Sequence, residues 1–150
     1  KGFKVDDKEL VLLNNIKPEA VVDRNYIALR PGDAFRKLSD AFLITDQTVF
    51  PVLNEERKLI GLVYIDDVKS ILLKEEVFDK KLITEVMVKP QYSISVRDDI
   101  QKIMRLFDIS GLWYIPVLNA NGSFIGFADK RKLLALLRDT LTSHQLMEQL

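Results

Sequence analysis

The apolar positions of this chain change period several times, and the same succession of changes occurs twice. Pro31-Gly32-Asp33 supplies a turn and an N-cap, after which Phe35, Leu38 and Phe42 fall at i, i+3 and i+7. That spacing predicts one stripe of an amphipathic helix. Two apolar runs follow, Thr48 to Leu53 and Leu59 to Tyr64, separated by the polar Asn54-Glu55-Glu56-Arg57. They predict two strands joined in a hairpin. After Gly61 the helical period returns in Val68, Ile71 and Leu72. Further along, Ile100, Ile103 and Phe107 repeat the first stripe, a second hairpin turns at Asn121-Gly122, and Leu133, Leu134 and Leu137 follow Gly126. Asn-Gly between apolar runs is a strong hairpin signal. With short strands expected around Ile27 to Leu29 and Ser93 to Ser95, each unit reads strand, helix, strand, strand, helix.

The two successions are in register. Pro51-Val52-Leu53-Asn54 matches Pro116-Val117-Leu118-Asn119 at a shift of 65 residues (116 minus 51). Ile60-Gly61 and Ile125-Gly126 keep the shift, as do Asp33 and Asp98, Lys37 and Lys102, Phe42 and Phe107, and Ile44 and Ile109. The chain therefore reads as a tandem repeat over residues 16–75 and 81–140, joined by the polar stretch Lys74 to Lys81. A unit of about 60 residues is marginal alone, so the halves are expected to pair and bury both apolar faces. Residues 1–15 form a lead-in with a short helix from Val5 to Asn14, capped by Asp6 or Asp7, burying Leu10, Leu13 and Leu12. Residues 141–150 extend the last helix, with Leu141, Leu146 and Met147 as anchors.

Charge and composition narrow the function classes. Lys+Arg and Asp+Glu are 22 each, so the formal net charge is zero, and the cations are dispersed apart from Lys130-Arg131-Lys132. No chain-wide field attracts nucleic acid, and no nucleic-acid partner is expected. Cysteine is absent, which excludes disulfides and thiolate metal sites. The longest apolar runs, such as Leu10 to Leu13 and Leu133 to Leu137, fall far short of the ~20 residues that span a bilayer. The only histidine, His144, sits in the terminal tail. The paired acids Asp6-Asp7, Glu55-Glu56, Asp66-Asp67, Glu75-Glu76 and Asp98-Asp99 occupy turns and helix starts, where negative charge complements the helix dipole. No phosphate-binding glycine loop or metalloprotease motif is present, and catalysis is not expected. The opening Lys-Gly-Phe, without an initiator Met or signal segment, suggests a piece of a larger protein.

A doubled strand-helix-strand-strand-helix unit, with a hydrophobic-Pro-Val-hydrophobic strand and a Gly-hydrophobic ending that leads to Asp, resembles the CBS domain pair. The fold class implied is α/β (α+β), with two small sheets in a pseudo-twofold pair. The resemblance implies a regulatory, non-catalytic module that binds ATP, ADP or AMP between the copies, requires no cofactor and forms a homodimer through its CBS domains. A narrower likeness lies in Lys1-Gly2 with Asp6 to Leu13, in Phe107 to Val117, and in Gly126-Phe127-Ala128-Asp129-Lys130. These segments resemble the cytoplasmic region of prokaryotic CLC chloride channels and chloride/proton antiporters. That likeness implies a transmembrane chloride-transport domain in the parent chain and a place at the cytoplasmic face of the cell membrane.

Carried over position by position, the family's ribose-binding carboxylate is Asp67, six residues after Gly61, with Tyr64 where Ser or Thr is usual. Asp67 equally suits a solvated helix start. The same site would be lined by Thr48, Val86, Met87, Leu112 and Trp113. Tyr64 and Trp113 could sandwich an adenine or could fill the cleft themselves, and Trp113 alone reads first as core packing. In copy two the position of Asp67 is Lys132, and Asp129 takes the Ser/Thr position, which departs from the family pattern. Lys69, Lys89, Lys130 and Arg131 are the candidate phosphate cations. Two rival readings stand beside this one: a structural dimerisation module with a collapsed cleft, and a CBS pair regulating an enzyme such as an inosine monophosphate dehydrogenase, a magnesium transporter or a kinase subunit.

Overall fold

The computed structural model describes residues 6–149, with the side chains of residues 144–148 left aside. Val5 at the start of the lead-in helix, the His144 side chain and the anchors Leu146 and Met147 lie outside the described residues. Among the described residues, five α-helices and six strands follow one another as α1(Asp7–Leu13), β1(Val22–Asp23), α2(Phe35–Ile44), β2(Val49–Leu53), β3(Leu59–Tyr64), α3(Ile65–Leu72), β4(Ile94–Ser95), α4(Ile100–Ser110), β5(Tyr114–Leu118), β6(Phe124–Asp129) and α5(Lys130–Glu148). Nearly every element recurs after the 65-residue shift, as the sequence predicts. None of the described helices is long and apolar enough to cross a membrane.

The chain divides into two compact units, and they do not coincide with the two halves of the sequence. One unit comprises residues 25–91 and 121–124, the other residues 1–24, 92–120 and 125–150. In the first unit the β2–β3 hairpin is flanked on one side by Leu29, which bridges Val52 in parallel, and on the other by Val88, which bridges Leu62 antiparallel. In the second unit the sheet order is β1-β6-β5-β4, with Val22 opposite Ala128, Asp23 opposite Phe127 and Ile94 parallel to Val117. Each pair in one sheet is the shifted image of a pair in the other: Leu29–Val52 maps to Ile94–Val117, and Leu62–Val88 to Phe127–Asp23. Each hairpin thus takes its outer strand from the lead-in of the other copy. The strand expected at Ile27 to Leu29 is reduced to the single bridge at Leu29, and Val22–Asp23 forms a strand that the apolar pattern did not announce.

Each unit has its own core. Phe35, Leu38, Phe50, Val52 and Ile83 are fully buried in the first, and Leu13, Ile94, Ile103, Phe107 and Leu133 in the second. The helix α1 carries the expected Asp6 cap: Glu9 N–H donates to the Asp6 carboxylate at 2.8 Å, and the Glu9 carboxylate accepts from Asp6 N–H at 3.1 Å. Such a reciprocal box satisfies two orphan donors of the first turn.

Three local expectations need correction. Asp33 is not the N-cap of α2; Ala34 is, and Asp33 instead accepts from Arg30 N–H at 2.8 Å, closing the turn. An alanine cap has no acceptor to offer, so the first N–H groups of α2 find partners elsewhere. Phe35 N–H donates to Lys81 C=O at 2.7 Å and Arg36 N–H to Phe78 C=O at 3.0 Å. The polar stretch Lys74 to Lys81 is therefore no free connector. Phe78 is buried against Phe35, and the Arg36 guanidinium grips Asp79 in two bonds of 2.7 and 2.8 Å. The third correction concerns the stripe of α2: Ala41 takes the inward position in the last turn, and Phe42, Leu43 and Ile44 are exposed. The copy-two stripe buries Ile100, Ile103 and Phe107 as expected.

Candidate functional site

Five of the residues singled out by sequence belong to one unit and gather at one end of its hairpin. Thr48 enters β2, and its carbonyl accepts from Ile65 N–H at 2.9 Å, which staples the start of α3 to the start of the hairpin. Tyr64 lies opposite Val49 and forms the N-cap of α3 without a side-chain cap bond. On the other side of β3, Val88 and Leu62 exchange backbone bonds of 2.8 Å each. This segment runs antiparallel to β3, so it carries Val86 and Met87 along the strand toward Tyr64. Met87 lies so close to Gly61 that a Cβ there would stand 2.7 Å from Met87 Sδ. A glycine inside a strand often marks such a close approach. Val86 and Met87 are half-buried against the first core.

Asp67 sits in the first turn of α3 with its carboxylate exposed. Its neighbour Asp66 holds Lys69 at 2.9 Å, whereas Asp67 has no ion-pair partner among the described residues. Burial pushes the Tyr64 phenol above its ordinary range, and the nearby Asp67 carboxylate adds to the effect. At neutral pH Tyr64 is therefore a protonated donor beside an unengaged acceptor. A carboxylate can accept from two adjacent hydroxyls, and the half-buried ring offers a stacking face.

The equivalent edge of the second unit keeps the backbone and changes the chemistry. Lys130 N–H donates to Trp113 C=O at 2.9 Å, the shifted image of the Ile65–Thr48 bond. Trp113 is 53% exposed, so the core-packing expectation does not hold; its ring is covered by the Lys130 ammonium, 5.1 Å from the centroid. An ammonium in that position is attracted by the ring quadrupole. Leu112 is half-buried against the second core. Asp129, the one buried charged residue among those described, accepts from Arg131 N–H at 2.8 Å and is consumed as a helix-start acceptor. The Arg131 guanidinium also bonds the Tyr114 hydroxyl. With Lys132 at the Asp67 position, this edge presents cations and no free carboxylate. Leu112 and Trp113 thus belong to a different unit from Thr48, Tyr64, Asp67, Val86 and Met87. Sequence reasoning missed the anchoring of Asp129 and the Met87–Gly61 contact; the matched glycines at 61 and 126 were the available signal for the latter.

Among the described residues no group of acids and histidines is arranged to hold a metal ion. The CBS domain family model matches residues 19–74 and again residues 83–139. A homoserine O-acetyltransferase from Methanococcus vannielii is 27% identical over 111 residues, 72% of this chain and 22% of that protein. The chain thus spans about a fifth of the length of the curated relative it matches. Among solved structures, CbpB in complex with c-di-AMP aligns with a TM-score of 0.75 at 15% identity, covering 95% of this chain and 97% of that one. The CBS domain of a bacterial CNNM/CorC family Mg2+ transporter in complex with ATP aligns with a TM-score of 0.71 at 12% identity, covering 85% and 90%.

Proposed function

The chain belongs to the CBS domain family, and on that footing we propose that it is a regulatory, non-catalytic module that binds an adenine nucleotide at the edge formed by Thr48, Tyr64, Asp67, Val86 and Met87. The observation that carries this reading is the exposed, unengaged Asp67 carboxylate in the first turn of α3, beside the half-buried Tyr64 ring. A carboxylate there suits the two hydroxyls of a ribose, and the apolar Val86 and Met87 suit a base. That relatives of the same fold hold c-di-AMP and ATP supports the adenine class. The edge carrying Trp113 and Lys132 lacks a free carboxylate, so it is not assigned a ribose.

The parent we propose is a CLC-type chloride channel or chloride/proton antiporter, dimeric through its CBS domains and placed with this module at the cytoplasmic face of the membrane. Its support is the Phe107 to Val117 and Gly126 to Lys130 likeness. The runner-up parent is a magnesium transporter, favoured by the ATP-bound relative of that kind. In either setting the nucleotide acts only through its differential affinity for the conformations of the parent.

Thermal melting with ATP, ADP, AMP and c-di-AMP tests the reading. A ligand at 100 times its dissociation constant adds about 2.7 kcal/mol, which raises the melting temperature of a chain of this size by about 5–10 °C. Asp67→Asn is expected to abolish that rise while leaving the unliganded melting temperature unchanged. Flat curves with all four nucleotides would leave a structural dimerisation module.

A further inference from the structure

From Lys130 to Arg138 the last helix holds four cations, four leucines and one alanine, and no acid. Leu133 and Leu137 turn inward and are buried in the second core, with Leu136 packed against it. Leu134 is left 41% exposed, three residues after Arg131 and four before Arg138, so these three share the outer face of the helix. Lys130, one turn before Leu134, carries the face on to the exposed Trp113 ring, which its ammonium covers. Lys132 is exposed beside them. Two carboxylates stand near: the buried Asp129, 3.7 Å from Arg131, and Asp139, 3.7 Å from Arg138. Both distances are at the margin of an ion pair, and the patch keeps an excess of positive charge.

We propose that this patch seats on an anionic lipid surface, with Trp113 and Leu134 at headgroup depth and Lys130, Arg131, Lys132 and Arg138 facing the lipid phosphates and carboxylates. Charge complementarity and the indole carry the choice. A basic face complements anionic headgroups, lysine and arginine stems lie along apolar surface while their charged ends reach out, and a tryptophan ring suits the boundary between headgroups and acyl chains. A protein groove that reads an amphipathic helix takes its leucine face, and here that face is occupied by the core of the same unit. In copy one the positions of Arg131, Lys132 and Leu134 are Asp66, Asp67 and Lys69, so the patch belongs to copy two alone. It shares no residue with the nucleotide edge proposed above and does not depend on it.

Vesicles of equal parts phosphatidylcholine and phosphatidylserine, mixed with the chain at low salt, test the docking. They are expected to carry the chain down on sedimentation and to shift the emission of Trp113, the one tryptophan of the chain, to the blue. Binding is expected to fade with added salt and to be absent on phosphatidylcholine alone. Arg138→Gln is expected to weaken partitioning about fivefold, and Lys132→Gln together with Arg138→Gln about 25-fold, at about fivefold per cation. Both sites are exposed, so the variants are expected to melt as the parent chain does, and the emission of the parent chain decides without them. A parent chain that stays off the vesicles, binding without a shift of Trp113, or folded variants that bind as the parent does would each overturn the docking. A larger response of Trp113 to ATP or to duplex DNA than to vesicles would overturn it as well, assigning the patch to a free phosphate or a nucleic acid. Melting with nucleotides reports on the Asp67 edge separately, so the two readings fail independently.

Discussion

At the first turn of its last helix, copy one carries Asp66 and Asp67, and copy two carries Lys130, Arg131 and Lys132. The backbone beneath is the same: Ile65 is bonded to Thr48 and Lys130 to Trp113, each at 2.9 Å. Negative charge complements the positive pole of α3, whereas three cations oppose that of α5. Copy two offsets this with the buried Asp129, which accepts from Arg131 N–H, and with the Lys130–Trp113 and Arg131–Tyr114 contacts. The comparison teaches that duplication preserved the hydrogen-bonded frame and let the side chains at its rim diverge. One rim keeps an exposed carboxylate; the other uses its carboxylate internally. The hairpin turns diverge in the same way. Gly122 adopts φ +85° in copy two, and its equivalent Arg57 adopts φ +64° in copy one. A non-glycine residue there is strained. Arg57 is held in place because its carbonyl accepts from Phe124 N–H at 3.0 Å and its guanidinium donates to the Tyr26 hydroxyl at 3.1 Å.

The strongest way to break the equivalence is at the paired strand glycines. A Cβ at Gly126 would collide with the backbone carbonyl oxygen of Asp23, whereas one at Gly61 meets the flexible thioether of Met87. Gly126→Ala is expected to destabilise the chain by about 3 kcal/mol or more, and Gly61→Ala by about 1 kcal/mol, because only Met87 can yield. Urea unfolding of both variants measures the difference; equal losses would mean that the two outer strands are held alike.

A smaller effect separates the two helix starts. The side chain of Asp99 caps α4, accepting from Lys102 N–H at 2.8 Å, while α2 begins at Ala34 and borrows the carbonyls of Phe78 and Lys81. Asp99→Ala is expected to cost about 1 kcal/mol. Ala34→Asp should change stability little, because the N–H groups it would serve are already bonded. Denaturant midpoints check both, and a clear gain from Ala34→Asp would show that the borrowed bonds are weak.

The smallest effect is a pH dependence at Tyr64. Burial and Asp67 raise the Tyr64 pKa, so the folded state holds the phenolic proton more tightly than the unfolded chain does. The resulting slope of stability with pH is negative between the unfolded and folded values, so stability is lost as pH rises above the ordinary tyrosine range. Tyr64→Phe should flatten the alkaline limb of the melting-temperature profile by comparison with the parent chain. An unchanged limb would place the titration elsewhere.

The periodicities of Ile100, Ile103 and Phe107, the hairpin runs and the 65-residue shift determined the elements, their order and the duplication, because those features depend on neighbours close in sequence. Asp67 and Tyr64 were likewise legible as a pair, since three residues on a helix start bring them close. What the tertiary structure alone decided is which strand each hairpin receives. Val22–Asp23 joins β6 and Val88 joins β3 through backbone bonds that any residue but proline could make, so no side-chain pattern announces them. The same holds for the capping of α2 by the Phe78 and Lys81 carbonyls, and for Asp129, whose burial depends on the chain segments folded around it. Local sequence specifies local conformation; partners distant in the chain are selected by the packing that brings them together.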